Sequence, residues 1–176
     1  AQALFRQDGS NGRKIELTYP AAVRFNGEVL TWRRLSGDYQ LVNYSSPIGG
    51  TFKYQDLDEK VFANEAKLQS SVELPFGLNN LNKNSDFFLP WMGDPIQAGE
   101  TIEVTVRGGA SRTFRANVVG STYIMLERNA LSTLTAGQGK IEIKRIKTDG
   151  LDQSTFSGGR MTSTYIGRTV NISITE

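Results

Sequence analysis

The sequence predicts an all-β protein made of two antiparallel β-sandwich lobes, with at most one short helix. The clearest sign is the alternation of Ile102, Val104 and Val106 with polar side chains. A period of two is typical of a strand with one buried and one solvated face. A second sign is the frequency of turn-forming pairs such as Gly108-Gly109 between apolar runs. A helical pattern competes with strands in only one stretch of the chain.

The Asn26-Gly27 pair predicts a tight β-hairpin. Asn and Gly both accept the positive φ angles of a type I′ turn, whose twist suits two antiparallel strands. A two-residue loop would place Val23 opposite Leu30 and Ala21 opposite Trp32, which gives the hairpin one apolar side. Further strands are predicted over 13–19, 39–44, 51–54, 123–126, around Ile141 and Ile143, and over 161–165 and 170–175.

Residues 56–70 fit either a short helix or two irregular strands. Asp56 is a suitable N-cap, and Asp58 and Glu59 would favour the positive end of a helix dipole. The apolar stripe of this segment is thin, so both alternatives stay open. The three acids could gather around a cation, but a solvated helix start is the simpler interpretation.

The distribution of turn residues suggests where the lobes begin and end. We expect an N-terminal β lobe over 1–76, an ordered crossing that contains aromatic residues over 77–97, and a C-terminal β-sandwich lobe over 98–176. A flexible linker would lack the aromatic residues of the middle segment, so we expect them to pack in the joint. A long loop inside one domain is the alternative.

The chain has no cysteine and no histidine, which narrows the chemistry open to it. Thiol nucleophiles, zinc sites built from Cys or His, and Ser-His-Asp triads all need these residues. We therefore expect a protein that is not an enzyme. The alternative is a glycoside hydrolase that uses paired carboxylates. The acids at Glu100, Glu103, Asp149 and Asp152 carry no motif and are interpreted as surface charge.

The charge pattern argues against nucleic acid and membrane spans as partners. The formal net charge is +2, and the basic residues are spread along the chain. Nucleic-acid binders concentrate more positive charge on one face. The longest stretch without a charge, 39–52, is too short and too polar for a membrane helix. The Ala1-Gln2-Ala3 start is consistent with a signal-peptide cleavage site or with removal of an initiator Met, and both remain open.

Three oxygen-bearing side chains, Asn82, Asn84 and Asp86, have the spacing of the first ligands of a calcium loop. The rest of the loop does not match, because Phe87 stands where a glycine is needed and Gly93 where a glutamate is needed. We therefore expect a polar turn and no cofactor, with calcium as the weaker alternative.

Several aromatic residues are candidates for a ligand-binding platform, because a ring face packs well against a sugar ring. The candidates are Trp32, Trp91, Tyr44 and Tyr54, with Tyr39 and Tyr123 as further members of the set. Packing in the core is the simpler interpretation for each of them.

One strand also carries alternating charges. Lys140, Glu142 and Lys144 predict a solvated strand face, which together with Arg112 and Arg115 could attract an acidic polymer. Because the charges have mixed sign, we expect an ordinary solvated face.

The span 94–146 resembles a bacterial immunoglobulin-like module. The resemblance rests on "AGETIEVTV" and "LSTLTAGQGKIEIKRI", which are similar to a strand, a leucine turn and a following strand of such domains. It covers about a third of the chain, and the cysteine pair of antibody domains is absent. It implies an immunoglobulin-like or jelly-roll-like sandwich, used as an extracellular building block without an active site.

These observations predict a structural or interaction protein that is not an enzyme, a subunit of an extracellular surface or virion assembly. Its expected partners are other protein subunits, most simply further copies of itself. A carbohydrate-binding module that uses exposed Trp or Tyr is the alternative, with glycans as partners. The expected location is extracellular, on a cell surface or in a virion.

Overall fold

The computed structural model describes residues 1–42 and 49–176, and within them the protein is all-β with one short helix, as predicted. The chain divides into two compact units. Unit 1 comprises 1–68 and 150–161, and unit 2 comprises 69–149 and 162–176.

These boundaries differ from those expected from the sequence. Residues 69–76 and the whole of the expected crossing, 77–97, belong to unit 2, and residues 150–161 belong to unit 1. The expected crossing contains short strands, and its Leu81 and Leu89 are buried in the core of unit 2. The many Asn, Pro and Gly residues of this segment had suggested turns in place of strands.

Unit 1 contains two antiparallel sheets. Its strands are β1 (Gln2–Ala3), β2 (Ala22–Phe25), β3 (Glu28–Val29), β4 (Thr31–Arg33), β5 (Asp38–Gln40), β6 (Gly49–Gln55) and β7 (Val61–Lys67). One sheet has the order β1-β5-β4 and the other β3-β2-β6-β7. The predicted strand 51–54 is confirmed within β6. The predicted strand 39–44 begins with β5, and its residues 43–44 lie outside the described part.

The predicted hairpin turn is confirmed. Asn26 and Gly27 have φ angles of 51° and 88°, and the Leu30 amide donates to the Val23 carbonyl oxygen at 3.0 Å. The pairing does not continue as expected, because Trp32 lies opposite Tyr39 in the other sheet. The chain therefore leaves the hairpin after Leu30.

The predicted strand over 13–19 is wrong. Within it the backbone forms a single bridge, between Lys14 and Arg6, and the Leu17 amide donates to the Tyr39 hydroxyl at 2.6 Å. Ile15 and Leu17 are half-buried as the alternation predicts, but Tyr19 is 93% exposed. Backbone pairing with the segment 5–7 ends at Ile15, whose amide donates to the Phe5 carbonyl oxygen at 3.0 Å, so no ladder forms over 13–19.

The open alternative at 56–70 is settled in favour of a strand. Strand β7 occupies Val61–Lys67, and the preceding acids form a turn. Asp56 Oδ1 accepts the amides of Asp58 at 3.0 Å and Lys60 at 2.9 Å. Because Asp56 caps a turn between β6 and β7, the expected helix start is wrong.

Unit 2 is built around a six-stranded sheet. Its elements are β8 (Val72–Glu73), β9 (Asn80–Asn82), β10 (Phe87–Pro90), β11 (Met92–Gly93), β12 (Glu100–Gly108), β13 (Ala110–Ala116), β14 (Tyr123–Leu126), α1 (Arg128–Leu131), β15 (Gly137–Gly150), β16 (Arg160–Ile166) and β17 (Val170–Thr175). The sheet has the order β13-β12-β15-β17-β9, with β16 also paired to β15. Strands β10 and β14 form a separate antiparallel ribbon, and β8 and β11 form another. The last residue of β15 and the first two of β16 fall in unit 1.

The inner face of the six-stranded sheet forms the core of unit 2. Val104 lies opposite Ile143 and Val106 lies opposite Ile141, and all four are at most 1% exposed. This register joins the apolar faces of two strands predicted from their alternation, so both strands are confirmed. In the parts of the chain that the structure describes, no helix has the length and apolar character needed to cross a membrane.

Candidate functional site

The β10–β14 ribbon is apolar on both of its sides. Its inner side packs Leu89 and Ile124, at 0% and 2% exposure, into the core. Its outer side carries four exposed side chains, which we call the ribbon face. The ribbon face consists of Phe88, Pro90, Tyr123 and Met125. These four side chains form one contiguous exposed apolar surface, and such surfaces are often functional.

The geometry of the ribbon face suits protein contact better than sugar stacking. Phe88, Tyr123 and Met125 are 59%, 51% and 41% exposed. From the size of such side chains, the face exposes on the order of 300–400 Å² of apolar surface. The rings of Phe88 and Tyr123 lie 5.8 Å apart with an angle of 60° between their planes, so these two rings do not form a coplanar platform.

The outer face of the six-stranded sheet is polar. In its middle, Arg115 pairs with Glu103 at 2.8 Å across two strands, and Lys144 pairs with Glu142 at 2.8 Å. These pairs neutralise four charges within the face. Lys140 is exposed, and Glu142 and Lys144 are half-buried on the same side, so the predicted solvated face of β15 with charges of mixed sign is confirmed.

A shallow depression of about 480 Å³ lies at one end of this polar face, beside the turn between β12 and β13. Nine residues from the β12–β13 hairpin and from the neighbouring strands β15 and β17 surround it. The lining residues are Arg107, Gly108, Gly109, Ala110, Ser111, Gln138, Gly139, Lys140 and Asn171. We call it the hairpin depression. Most of its accessible lining is apolar, and the cationic Arg107 and Lys140 and the polar Ser111, Gln138 and Asn171 supply the groups that can bind an anion or form hydrogen bonds.

Arg112 does not belong to this polar face, although the sequence grouped it with Lys140 and Arg115. It lies opposite Val106, and residues directly opposite in an antiparallel pair point to the same side. Its side chain therefore leaves on the core side of β13, at the sheet edge.

A buried ion pair holds the 94–100 loop against β15. Arg145 is 0% exposed, and its Nη1 donates to Glu100 Oε2 at 2.6 Å. Arg145 also donates to the carbonyl oxygens of Asp94 and Pro95, and Glu100 Oε2 accepts the Gln97 amide at 2.9 Å. Within the described chain, Arg145 Nε is the buried side-chain nitrogen or oxygen without a hydrogen-bond partner.

The interpretation of Glu100 as surface charge is therefore wrong. Glu100 is 7% exposed because Arg145, 45 residues away in sequence, neutralises it inside the unit. An acid at a strand start and a cation within a distant strand give no local sign of pairing. The two charges pair with each other within the fold, and only Arg145 Nε of this buried pair lacks a partner, which fits a structural role.

The predicted aromatic platform residues are mostly engaged in packing. Trp91 is 6% exposed, and its Nε1 donates to the Asp94 carbonyl oxygen at 3.1 Å. Trp32 packs on Tyr39 at 5.1 Å between ring centroids. Tyr54 lies 4.8 Å from the Phe5 ring. Tyr44 lies outside the described residues.

Burial also affects the ionisation of Tyr54. Loss of solvent raises the pKa of its hydroxyl above the ordinary value, and the nearby Asp56 carboxylate raises it further. Both effects favour the neutral phenol. The residue therefore behaves as part of the aromatic packing of unit 1.

Two of the predicted calcium ligands, Asn82 and Asp86, use a side-chain oxygen to accept a hydrogen bond from a backbone amide. Asn82 Oδ1 accepts the Asn84 amide at 2.7 Å, which makes a side-chain turn. Asp86 Oδ1 accepts the Arg128 amide at 2.7 Å and so caps the start of α1. Among residues 1–42 and 49–176, no three His, Cys, Asp or Glu side chains come together in a way that could hold a metal ion.

A second buried acid, Asp38, lies in unit 1 and is 2% exposed. Its carboxylate accepts hydrogen bonds from Ser36, Gln40 and Gln2. The bond from Ser36, followed by that from Gln40, holds the pKa of Asp38 below its ordinary value, with smaller contributions from Gln2 and the charge of Lys14, against the opposing effect of burial. This network joins β1 to β5 and is structural.

The ribbon face and the hairpin depression were not predicted from the sequence. The continuous apolar run from Phe87 to Met92 was a usable signal, because a strand that is apolar at every position has an apolar outer side. It was interpreted as packing in a joint. The hairpin depression had no signal of this kind in the sequence. Its residues come from four strands, and only the pairing of those strands brings them together.

Comparisons with protein-family models, with curated proteins and with solved structures find no match to this chain.

Proposed function

We propose that this chain is a structural or interaction protein that is not an enzyme, and that it forms a subunit of an extracellular surface or virion assembly. The observation that carries the proposal is the ribbon face, a contiguous apolar surface on a strand pair whose other side is anchored in the core. The extracellular setting rests on the immunoglobulin-like resemblance of 94–146.

The partner proposed for the ribbon face is a second copy of this chain. A stable interface covers about 800 Å² on each partner, with an apolar centre and a polar rim. The ribbon face supplies about half of that area and is therefore suited to be the centre. Glu127 and Arg128 follow β14 directly and are both exposed, so a two-fold axis can bring opposite charges together at the rim.

The overall charge supports self-association. A net charge of +2 over 176 residues produces little repulsion between copies. Since both sides of a two-fold interface are the same surface, the apolar centre meets an apolar centre without any additional partner.

The experiment measures molar mass by light scattering during size-exclusion chromatography over a range of protein concentrations. We expect the wild-type chain to form dimers or larger species as the concentration rises, and Phe88→Ser to shift the midpoint of association at least tenfold higher. Phe156→Ser is the matched control, because Phe156 is 109% exposed in unit 1 and should leave association unchanged. A wild-type chain that remains monomeric at every concentration would refute the proposal.

A further inference from the structure

We propose that the hairpin depression binds an acidic saccharide, with Arg107 and Lys140 contacting its carboxylate, sulfate or phosphate group. This site is separate from the ribbon face and is independent of the proposed assembly.

The first step of the argument is the charge arrangement at the depression. Arg107 on β12 lies directly opposite Lys140 on β15, and both side chains are exposed. Like charges directly opposite each other in a sheet are unfavourable. Within the described chain, neither side chain has an ion-pair or hydrogen-bond partner. An anion placed between them would remove this repulsion.

The second step is the contrast with the rest of the same face. Arg115 is paired with Glu103 and Lys144 with Glu142, each at 2.8 Å. The positive charges of the face are thus neutralised by the protein except where the surface is concave. This contrast places the unpaired charge at a cavity rather than at random along the strands.

The third step concerns the neutral lining. Asn171 lies opposite Lys140, and Ser111 lies opposite Arg107, so an amide and a hydroxyl flank the two cations. Gln138 adds a second amide. These groups suit sugar hydroxyls, because each can both donate and accept hydrogen bonds.

The size of the site favours a sugar over a bare ion. The depression is shallow and open, and its volume of about 480 Å³ is larger than an inorganic anion needs, so a sugar would lie along the surface with one face in solvent. Gly108 and Gly139 are buried, and a Cβ on either would meet Ile174, so these glycines allow close packing beneath the depression. The modest net charge of +2 gives no extended basic surface for a nucleic acid.

The test follows backbone amide NMR signals of the full-length chain during titration with glucuronate, glucose 6-sulfate, glucose and sodium sulfate at constant ionic strength. We expect saturable shifts confined to Gly108, Gly109 and Gly139 with the two acidic sugars, and at least fivefold weaker binding of glucose and of sulfate alone. An adventitious ion only, seen as sulfate binding as tightly as glucose 6-sulfate, would overturn the proposal.

Matched variants assign the contacts. Arg107→Gln and Lys140→Gln should each weaken binding of the acidic sugars at least fivefold, whereas Arg115→Gln, which removes a cation already paired with Glu103, should change it less than twofold. Unchanged amide spectra away from the site will show that the variants fold. Equal losses in all three variants, or tighter binding of a single-stranded oligonucleotide than of the sugars, would contradict the assignment.

Discussion

The two units are stabilised in different ways. Among the described residues, the core cluster of unit 2 has eighteen buried apolar side chains, whereas that of unit 1 has three, Val23, Leu30 and Tyr39. Unit 1 supplements this small core with partly exposed rings that pack edge to face or tilted, such as Phe5 on Tyr39 at 5.9 Å between centroids, and with the hydrogen bonds around Asp38.

The difference in core size indicates which unit can hold a functional surface in a fixed position. A strand with one side in a large core keeps its outer side chains at fixed positions, because close packing leaves its inner side little freedom. Both proposed surfaces, the ribbon face and the hairpin depression, lie on such strands of unit 2. Unit 1 supplements its smaller core with the hydrogen bonds of the Asp38 carboxylate, so its stability should respond to low pH.

The largest expected effect comes from the buried ion pair of unit 2. Arg145→Met keeps much of the side-chain volume but leaves the Glu100 carboxylate buried without its cation, which should reduce the free energy of unfolding by about 3–5 kcal/mol. Denaturant unfolding, followed by hydrogen exchange of amides in β12 and β15, measures this loss.

A second substitution tests whether the loss comes from the unpaired charge of Glu100. Adding Glu100→Gln to Arg145→Met removes the unpaired charge and should recover a large part of the loss. Arg115→Met, which breaks only the exposed pair with Glu103, should cost no more than about 1 kcal/mol. If Arg145→Met were as mild as Arg115→Met, the ion pair would not be the support that the geometry indicates.

A pair of leucine truncations compares the two cores directly. Leu89 in unit 2 and Leu30 in unit 1 are 0% and 2% exposed. Leu89→Ala should cost about 4 kcal/mol, since the surrounding core cannot close the cavity. Leu30→Ala should cost about 2–3 kcal/mol, because its partly exposed neighbours can move inward.

Hydrogen exchange measured separately for amides of β10 and β2 will assign each loss to its own unit. Equal costs at the two leucines would show that unit 1 is packed as rigidly as unit 2, and the comparison between the units would fail.

Local patterns were sufficient to predict much of the fold. The alternation around Val104 and Ile143 identified two strands, and Asn26-Gly27 identified a turn, because both signals depend on near neighbours in the chain. The same kind of pattern was misleading at 13–19, where backbone pairing is limited to one bridge and the Leu17 amide donates to the Tyr39 hydroxyl. Strand pairing is a long-range property that alternation does not specify.

The surfaces were harder to predict than the fold. The opposition of Arg107 and Lys140 depends on the register between β12 and β15, and a shift of one residue would separate them. The burial of Glu100 depends on the position of Arg145 in the same way. For the ribbon face the composition was visible in the sequence, but which side faces solvent follows only from the pairing of β10 with β14.

The smallest expected effect concerns Asp38 and tests the dependence of unit 1 on polar contacts. The hydrogen bond from Ser36, and then that from Gln40, lowers the pKa of Asp38 in the folded state below its ordinary value. A carboxyl group whose pKa is lowered by folding stabilises the protein above its unfolded pKa of about 3.9. That stabilisation is lost as the pH falls below this value and through the folded pKa.

Asp38→Asn should therefore lower the melting temperature at pH 7 and at pH 5, and its difference from the wild type should narrow toward pH 3, where the wild-type carboxyl begins to take up a proton. Thermal unfolding monitored by circular dichroism at these three pH values measures the difference. Asp152→Asn is the matched control, because Asp152 is exposed in the same unit and should shift the melting temperature little at any pH. Asp38→Asn keeps all the other carboxyl groups of the wild type. A melting-temperature difference that stays constant from pH 7 to pH 3 would therefore mean that the ionised Asp38 carboxylate does not stabilise unit 1.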